Sequence, residues 1–326
     1  MEKKLFKFGR SSYAIVLPKS WVSKSGLSKS GQVFMNEDEN GNIVLGTKRT
    51  GTTEFEEVVS KETYTFLWRL IGFHYMYGTT RLRVYSKDGF TSRQIGAVED
   101  NVRRYYMGYE ITSQSANDLV IEDVMNIKDM SMDKILAKIS FLVKEEFKDL
   151  LGGNYGKSMM LPKKEILTDE LFARQSARAG KIKAGGKYTT IDSMEELVNR
   201  FYLLGIRYLN IVKPGNTYLY LRPLQLMEDS GDQISRLSTM NVEKAHAVIG
   251  DIATLFNDSV EAMTGKREKI DAVFQLTEAI MKKMEKLKEE RHLYEVLYDL
   301  TWDIAVIAEA GLIREKLGEK TGLETS

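Results

Sequence analysis

Two pairs of carboxylates in this chain have the spacing of ligands on one helix face. Glu228 and Asp232 stand four residues apart, and Asp299 and Asp303 repeat that spacing in the last apolar segment. Residues at i and i+4 of a helix are neighbours, so each pair turns two negative charges to the same side. Apolar residues recur at three-and-four spacing beside both: Leu224, Met227 and Ile234 by the first, Leu293, Leu297, Leu300, Ile304 and Ile307 by the second. A carboxylate against such a seam loses water and needs a cation or an arginine in exchange. Asp192, Glu195 and Asn199 add three more oxygen-bearing side chains at helical spacing. Gly231 lacks the side chain that would keep this neighbouring helix away from the first pair. An all-oxygen set suits a hard cation such as Mg²⁺, Mn²⁺ or Ca²⁺. The competing reading is a solvated acidic edge with Arg222 or Arg236 as counter-charge.

Glu243-x-x-His246 and Glu289-x-x-His292 have the spacing of di-iron helices. They fall opposite each other about a hairpin centred between Arg267 and Glu268, which keeps a carboxylate-bridged metal enzyme among the readings. The two further glutamates of such a centre are not identifiable. There is no Gly-rich phosphate loop, nucleophile elbow or H-E-x-x-H. With no Cys, thiolate metal sites, disulfides and catalytic thiols are excluded. The expectation is a protein that is not an enzyme.

A different chemistry sits at the N-terminus. Residues 1–36 hold seven bases and one acid, whereas the rest of the 326-residue chain has five more acids than bases. A basic head on an acidic body points to a polyanion as the head's partner. Lys4, Lys7, Arg10 and Lys19 surround the polar break at 9–12 and are the expected contacts to double-stranded DNA, with Ser11 and Ser12 as hydroxyl donors to phosphate. Arg10 is the candidate for reading a guanine edge.

Three kinds of element must position these groups. Residues 1–48 read as short strands: 4–8, the continuous apolar run 13–17 closed by Pro18, and 33–35 and 43–45 around a turn ending in Asn40-Gly41. A continuous run asks for cover on both faces, yet so small a unit cannot supply it. A second copy can, so the head is expected to be a homodimer. Residues 49–128 read as a small α/β unit: strands at 55–59 and 81–85, helices at 62–77 and 91–106, and a hairpin of 109–112 with 119–121. His74 falls on its apolar face as a core residue. Residues 129–326 read as helices. The periodic stretch 268–310 is too long for one globular helix, so a turn is expected near 289–292. A loop insertion at about 152–190 contains Gly152, Gly153, Pro162 and five bases (Arg174, Arg178, Lys181, Lys183, Lys187). It reads as a solvated insertion or a second polyanion contact. No apolar run approaches the ~20 residues of a membrane span, and the first residues lack a signal peptide's apolar core. The expected location is the cytoplasm, without membrane insertion.

The head also resembles a family. Lys7-Phe8-Gly9-Arg10-Ser11-Ser12, Ile15-Val16-Leu17-Pro18-Lys19, Gly26-Leu27, Gly31, Val33 and Gly41-Asn42-Ile43-Val44-Leu45 resemble the AbrB/SpoVT-type swapped-hairpin domain, with Gln32 where that family usually has Asp. The resemblance implies an intertwined homodimer whose basic loops contact DNA. Further on, the segment 227–234 resembles the E-x-x-G-D segment that ends a PhoU-type three-helix repeat. The segment 299–309 looks like a degenerate second copy, with Trp302 in place of a small residue and Ile304 in place of a histidine. The helix at 192–204 resembles the acidic middle helix of the first repeat. This implies a six-helix bundle of two three-helix repeats. It would bind a divalent or ferric ion (Mg, Mn, Fe or Zn) through Asp192, Glu195, Asn199, Glu228 and Asp232, with Asp299 and Asp303 as a second candidate site. The order of head, α/β unit and bundle resembles fused archaeal phosphate-uptake regulators. The implied function is a DNA-binding transcriptional regulator of phosphate uptake, whose bundle senses a metal or a partner protein. The alternative is an adaptor that regulates a phosphate transporter or a signalling kinase and uses the head only to dimerise.

Overall fold

The computed structural model describes residues 4–10, 12–24, 33–37, 43–46, 53–59, 64–152, 190–214 and 216–321. It divides into two compact units, Met1–Thr52 and Thr53–Ser326.

In the first unit β1 (Leu5–Phe8) and β2 (Ser12–Ile15) form an antiparallel hairpin with Leu5 opposite Ile15 and Lys7 opposite Tyr13. Gly9 turns the chain at φ 72°, a conformation that costs glycine nothing. The strand expected over 13–17 ends at Ile15, and Val16 to Pro18 lead into α1 (Lys19–Lys24). A second hairpin pairs β3 (Phe34–Glu37) with β4 (Ile43–Gly46). The Asn40-Gly41 turn, Ser11 and Gly26 lie outside the described residues. Side chains alternate across a strand, so Leu5, Tyr13 and Ile15 share one face of the first hairpin and Phe6 and Phe8 the other. All five are exposed in a single copy. The hairpin thus exposes large apolar side chains on both faces, with Lys7 on the first and Ser12 on the second, and among the described residues nothing buries them.

The second unit has two layers, each with its own core. The first is a four-stranded sheet of order β5-β6-β8-β7, from β5 (Glu54–Val59), β6 (Arg81–Ser86), β7 (Tyr109–Gln114) and β8 (Asp118–Asp123). The pair β5/β6 is parallel and the others antiparallel. Two helices, α2 (Tyr64–Tyr77) and α3 (Ser92–Tyr105), accompany it, the latter started by a capping box of Thr91 and Gln94. Leu67, Ile71, Tyr75, Leu82, Val84, Val98, Leu119 and Ile121 fill their core. Arg81, Arg83, Glu56, Asp118 and Glu122 link across the strands as ion pairs. His74 is a core residue, as its apolar setting predicts. Its ring nitrogens lie 3.1 Å from Thr79 Oγ1 and 3.1 Å from Glu57 Oε1.

The second layer is a helical bundle, and its described residues form α4 (Met132–Leu151), α5 (Thr190–Val212), α6 (Thr217–Ser238), α7 (His246–Met263), α8 (Glu268–Met284) and α9 (Arg291–Thr321). The helices α4, α5 and α6 pack on one another, as do α7, α8 and α9. The two sets meet along α6/α9 and α4/α7. The helix expected at 192–204 continues for another two turns. The break expected at 289–292 falls at 285–290, where the chain tightens into a 3-10 turn, Glu285–Leu287, with no Gly or Pro. The described residues stop at Gly152 and resume at Thr190, so the insertion and its five bases lie outside them.

Helix α5 joins the layers, because α2 and α3 pack on it. Arg207 of α5 enters the α/β layer. It donates to the carbonyls of Tyr75 (2.6 Å) and Thr79 (3.0 Å), pairs with Asp123, and lies 4.9 Å from the rings of both Tyr75 and Tyr109. Arg104 of α3 pairs with Glu196 at 2.9 Å.

Candidate functional site

The inward row of α4 runs Ile135, Ile139, Leu142, Glu146, Leu150, all buried. Four of these are aliphatic. The fifth, Glu146, is 0% exposed, and neither of its carboxylate oxygens has a hydrogen-bond partner. Burial drives its carboxyl well above the usual range, and Glu195 and Asp232 push it further. The backbone of α6 passes close by at Gly231. A Cβ there would stand 3.3 Å from Glu146 Oε2 and 3.4 Å from Val198 Cγ1 of α5.

Helix α5 contributes Glu195, whose Oε1 accepts from Asn199 Nδ2 at 2.6 Å. Its carboxyl is raised by burial and then by Asp232, with Asp192 a smaller contributor. Helix α6 contributes Glu228, pushed up to about 7 by burial and then by Asp232, Asp229 and Glu195. It also contributes Asp232, raised by burial and Asp229 and opposed by Arg236. Of the five residues expected from sequence, Glu195, Asn199, Glu228 and Asp232 therefore come together on facing helices, and Asp192 lies at the edge. The member that sequence reasoning missed is Glu146. Its signal was a single acid interrupting an apolar row.

Like charges gathered in a desolvated place must be neutralised, by protons or by a cation. As the side chains stand, no three acidic or imidazole groups among the described residues are close enough to hold one metal ion. The donor set is nevertheless that of a hard cation: carboxylates and one amide oxygen, from three helices, with an orphaned buried carboxylate at the centre.

The second pair is differently provided for. Burial raises the Asp303 carboxyl, and Asp229 and Asp299 add to the rise, while a 2.8 Å hydrogen bond from Gln233 Nε2 of α6 and the charge of Arg222 oppose it. Ser230 and Thr301 occupy matching places on α6 and α9. Each donates to the carbonyl four residues back, Leu226 and Leu297, both at 2.6 Å. In that register Trp302 stands where α6 has Gly231, and it is 46% exposed.

The two E-x-x-H segments reach the same end of the bundle, where Lys244 meets Glu290 at 2.7 Å. Glu243, His246, Glu289 and His292 are all exposed, and His246 Nε2 lies 2.9 Å from the Leu151 carbonyl. They do not converge.

In the head, Lys4, Lys7, Arg10, Ser12 and Lys19 are all exposed. Lys7 projects from β1, Arg10 follows the Gly9 turn, Ser12 opens β2 and Lys19 opens α1. Residues 7–53 match the model of a family described as antidote-toxin recognition MazE, bacterial antitoxin. This likeness of residues 7–53 supports reading the head as a DNA-binding, dimer-forming module of the MazE/AbrB type. The match spans every expected contact except Lys4. It also extends the module past residue 48 to the boundary at Thr52 seen in the structure. No curated protein and no solved structure matches the chain.

Proposed function

We propose that this chain is a homodimeric, cytoplasmic transcriptional regulator whose helical body senses a hard cation, in the control of phosphate uptake. The observation that carries the sensing is Glu146, a buried carboxylate without a partner facing Glu195 and Asp232. A charged carboxylate in that position costs several kcal/mol unless something neutralises it. Glu146, Glu195, Glu228, Asp232 and Asn199 would hold the ion, which would supply positive charge that draws α4, α5 and α6 together. Mg²⁺, Mn²⁺, iron and zinc are the candidates. The phosphate connection is supported by the likeness of 227–234 to a PhoU-type segment and by the two sets of three helices. No catalytic step is assigned to the protein. A transporter or signalling protein reading the body is the adaptor alternative, and salt-dependent binding to promoter DNA separates it from the regulator.

Thermal unfolding of chelator-treated protein tests the sensing. Micromolar divalent or ferric ion should raise Tm in wild type and leave Glu146→Gln and the Glu228→Gln, Asp232→Asn double variant unmoved. If wild type does not respond to any of these ions, the body does not sense metal. Selection of bound fragments from genomic DNA tests the phosphate assignment independently.

A further inference from the structure

The outer side of α2 carries an aromatic stripe that the α/β core does not use. Phe73 is 61% exposed and Tyr77 54%, and their rings stack at 6.3 Å and 14°. Phe55 of β5, 37% exposed, meets Tyr77 edge-on at 5.9 Å. Together the three expose roughly 300 Å², given that an aromatic side chain presents about 150–250 Å². That is the lower end of the range for the largest apolar patch on a typical monomer, a patch that is often functional. It is well below the ~800 Å² per partner of a stable free-standing interface.

We infer that this patch is a second contact between the two copies of the chain, closing Phe55, Phe73 and Tyr77 of one protomer on the same residues of the other. Three observations select a second copy as the occupant. The inference rests on the homodimer proposed above, in which the head, matched to the MazE family over residues 7–53, already joins two copies. Only six residues separate Gly46, the end of β4, from Thr53, just before β5. Each β5 is therefore tied to the dimer by a tether of at most about 25 Å. A tether this short sets an effective concentration near millimolar, enough to close a contact too small to hold alone. The patch also suits a two-fold contact, which needs a surface complementary to itself. Stacked aromatic rings meet that condition, and the one acid beneath them, Glu57, is engaged by His74.

The contact is made by side chains and not by adding strand to strand. β5 is an edge strand, but it carries Glu54, Glu56 and Glu57 within six residues. Antiparallel pairing of two such strands would oppose like charges. Glu54 and Glu56 alternate to the sheet face away from Phe55, so they do not obstruct the aromatic contact.

The chain has no cysteine, which allows a clean test in the full-length protein. Phe73→Cys and, as a control on the bundle surface, Thr254→Cys are oxidised under dilute conditions. Both sites are exposed, so neither change disturbs a core. The proposal expects the thiol at 73 to form a disulfide-linked dimer at least about ten-fold faster than the thiol at 254. Adding Tyr77→Asp, or Ile15→Asp in the head, should abolish the difference. Equal rates at 73 and 254 overturn the proposal. So does a thiol at 73 that resists both cross-linking and alkylation, because another surface then covers the patch. Cross-linking at 73 that survives Ile15→Asp in a protein shown to be monomeric by sedimentation overturns the tether argument.

Discussion

Arg207 and Asp123 form an ion pair from which water is almost wholly excluded, their side chains being 0% and 6% exposed. The pair joins the C-terminal part of α5 to the end of β8, and Arg207 also donates to two carbonyls of the α/β layer. Removing one partner of such a pair strands the other charge without solvent. Arg207→Ala and Asp123→Ala should each destabilise the chain by about 3–5 kcal/mol. Urea unfolding of each single variant and of the double variant measures this. The double variant should lose much less than the sum.

The carboxylates of α4, α5 and α6 predict how metal-free protein responds to pH. The folded-state values of Glu146, Glu195 and Glu228 are raised above those of the unfolded chain. A raised carboxyl adds stability below its unfolded value that disappears as pH rises through the folded one. For Glu228 that window runs from the ordinary 4.5 to about 7. Chelated protein should therefore melt at a higher temperature at pH 5 than at pH 8. Glu146→Gln should raise Tm at pH 8 and flatten the profile. A melting temperature that rises steadily from pH 5 to pH 8 contradicts the assignment.

Two glycines give graded expectations. A Cβ at Gly311 would stand 2.1 Å from the Ala262 carbonyl oxygen, a backbone atom of α7, so Gly311→Ala must move one helix against another. At Gly231 the nearest atoms are side-chain atoms at 3.3 Å and 3.4 Å. Gly311→Ala should cost about 3 kcal/mol or more, and Gly231→Ala about 1 kcal/mol. Gly231→Ala should nevertheless weaken any metal-induced rise in Tm, since it displaces Glu146. Calorimetry with and without ion reads both effects.

At the head, Arg10→Ala should lose about 1–3 kcal/mol of specific DNA affinity if the arginine reads a base. Lys7→Ala should weaken all sequences alike and reduce the salt slope by about one unit. Fluorescence titrations over a range of salt concentrations distinguish them. A double variant that binds as wild type would reduce the head to a dimerisation device.

Ile15→Asp places a charge on the exposed apolar face that Leu5, Tyr13 and Ile15 share. It should abolish the proposed homodimer and lower DNA affinity at the same time, read by sedimentation velocity and by titration. A variant that stays dimeric would show that this face is not the interface.

What was legible in the sequence follows from where the signal lies along the chain. Spacing within a single helix disclosed Glu195 with Asn199, and Glu228 with Asp232, because i and i+4 neighbours are local. Glu146 was hidden because its partners come from other helices, forty or more residues away. The residue's only local mark is the gap it makes between Leu142 and Leu150. Arg207 was hidden similarly, as one of two bases, with Arg200, in a largely apolar helix, and its acceptors are mostly main-chain carbonyls. The 13–17 run announced the need for cover, but apolar character alone could not show that the strand ends at Ile15. The corner at 285–290 was displaced because a 3-10 turn needs no Gly or Pro.

Glu195 and Arg207 sit twelve residues apart on one unbroken helix, about 18 Å of it. Nothing between them bends: the segment contains no proline, and its one glycine, Gly205, is clamped by Leu224 and Met132. Such a rod behaves as a lever. A tilt of about 5° at the carboxylate end arrives at the arginine end as a displacement of about 1.5 Å, too large for a waterless ion pair to absorb by stretching. The α/β layer has to follow it, and amide exchange in α2 on adding metal is where that movement would be seen.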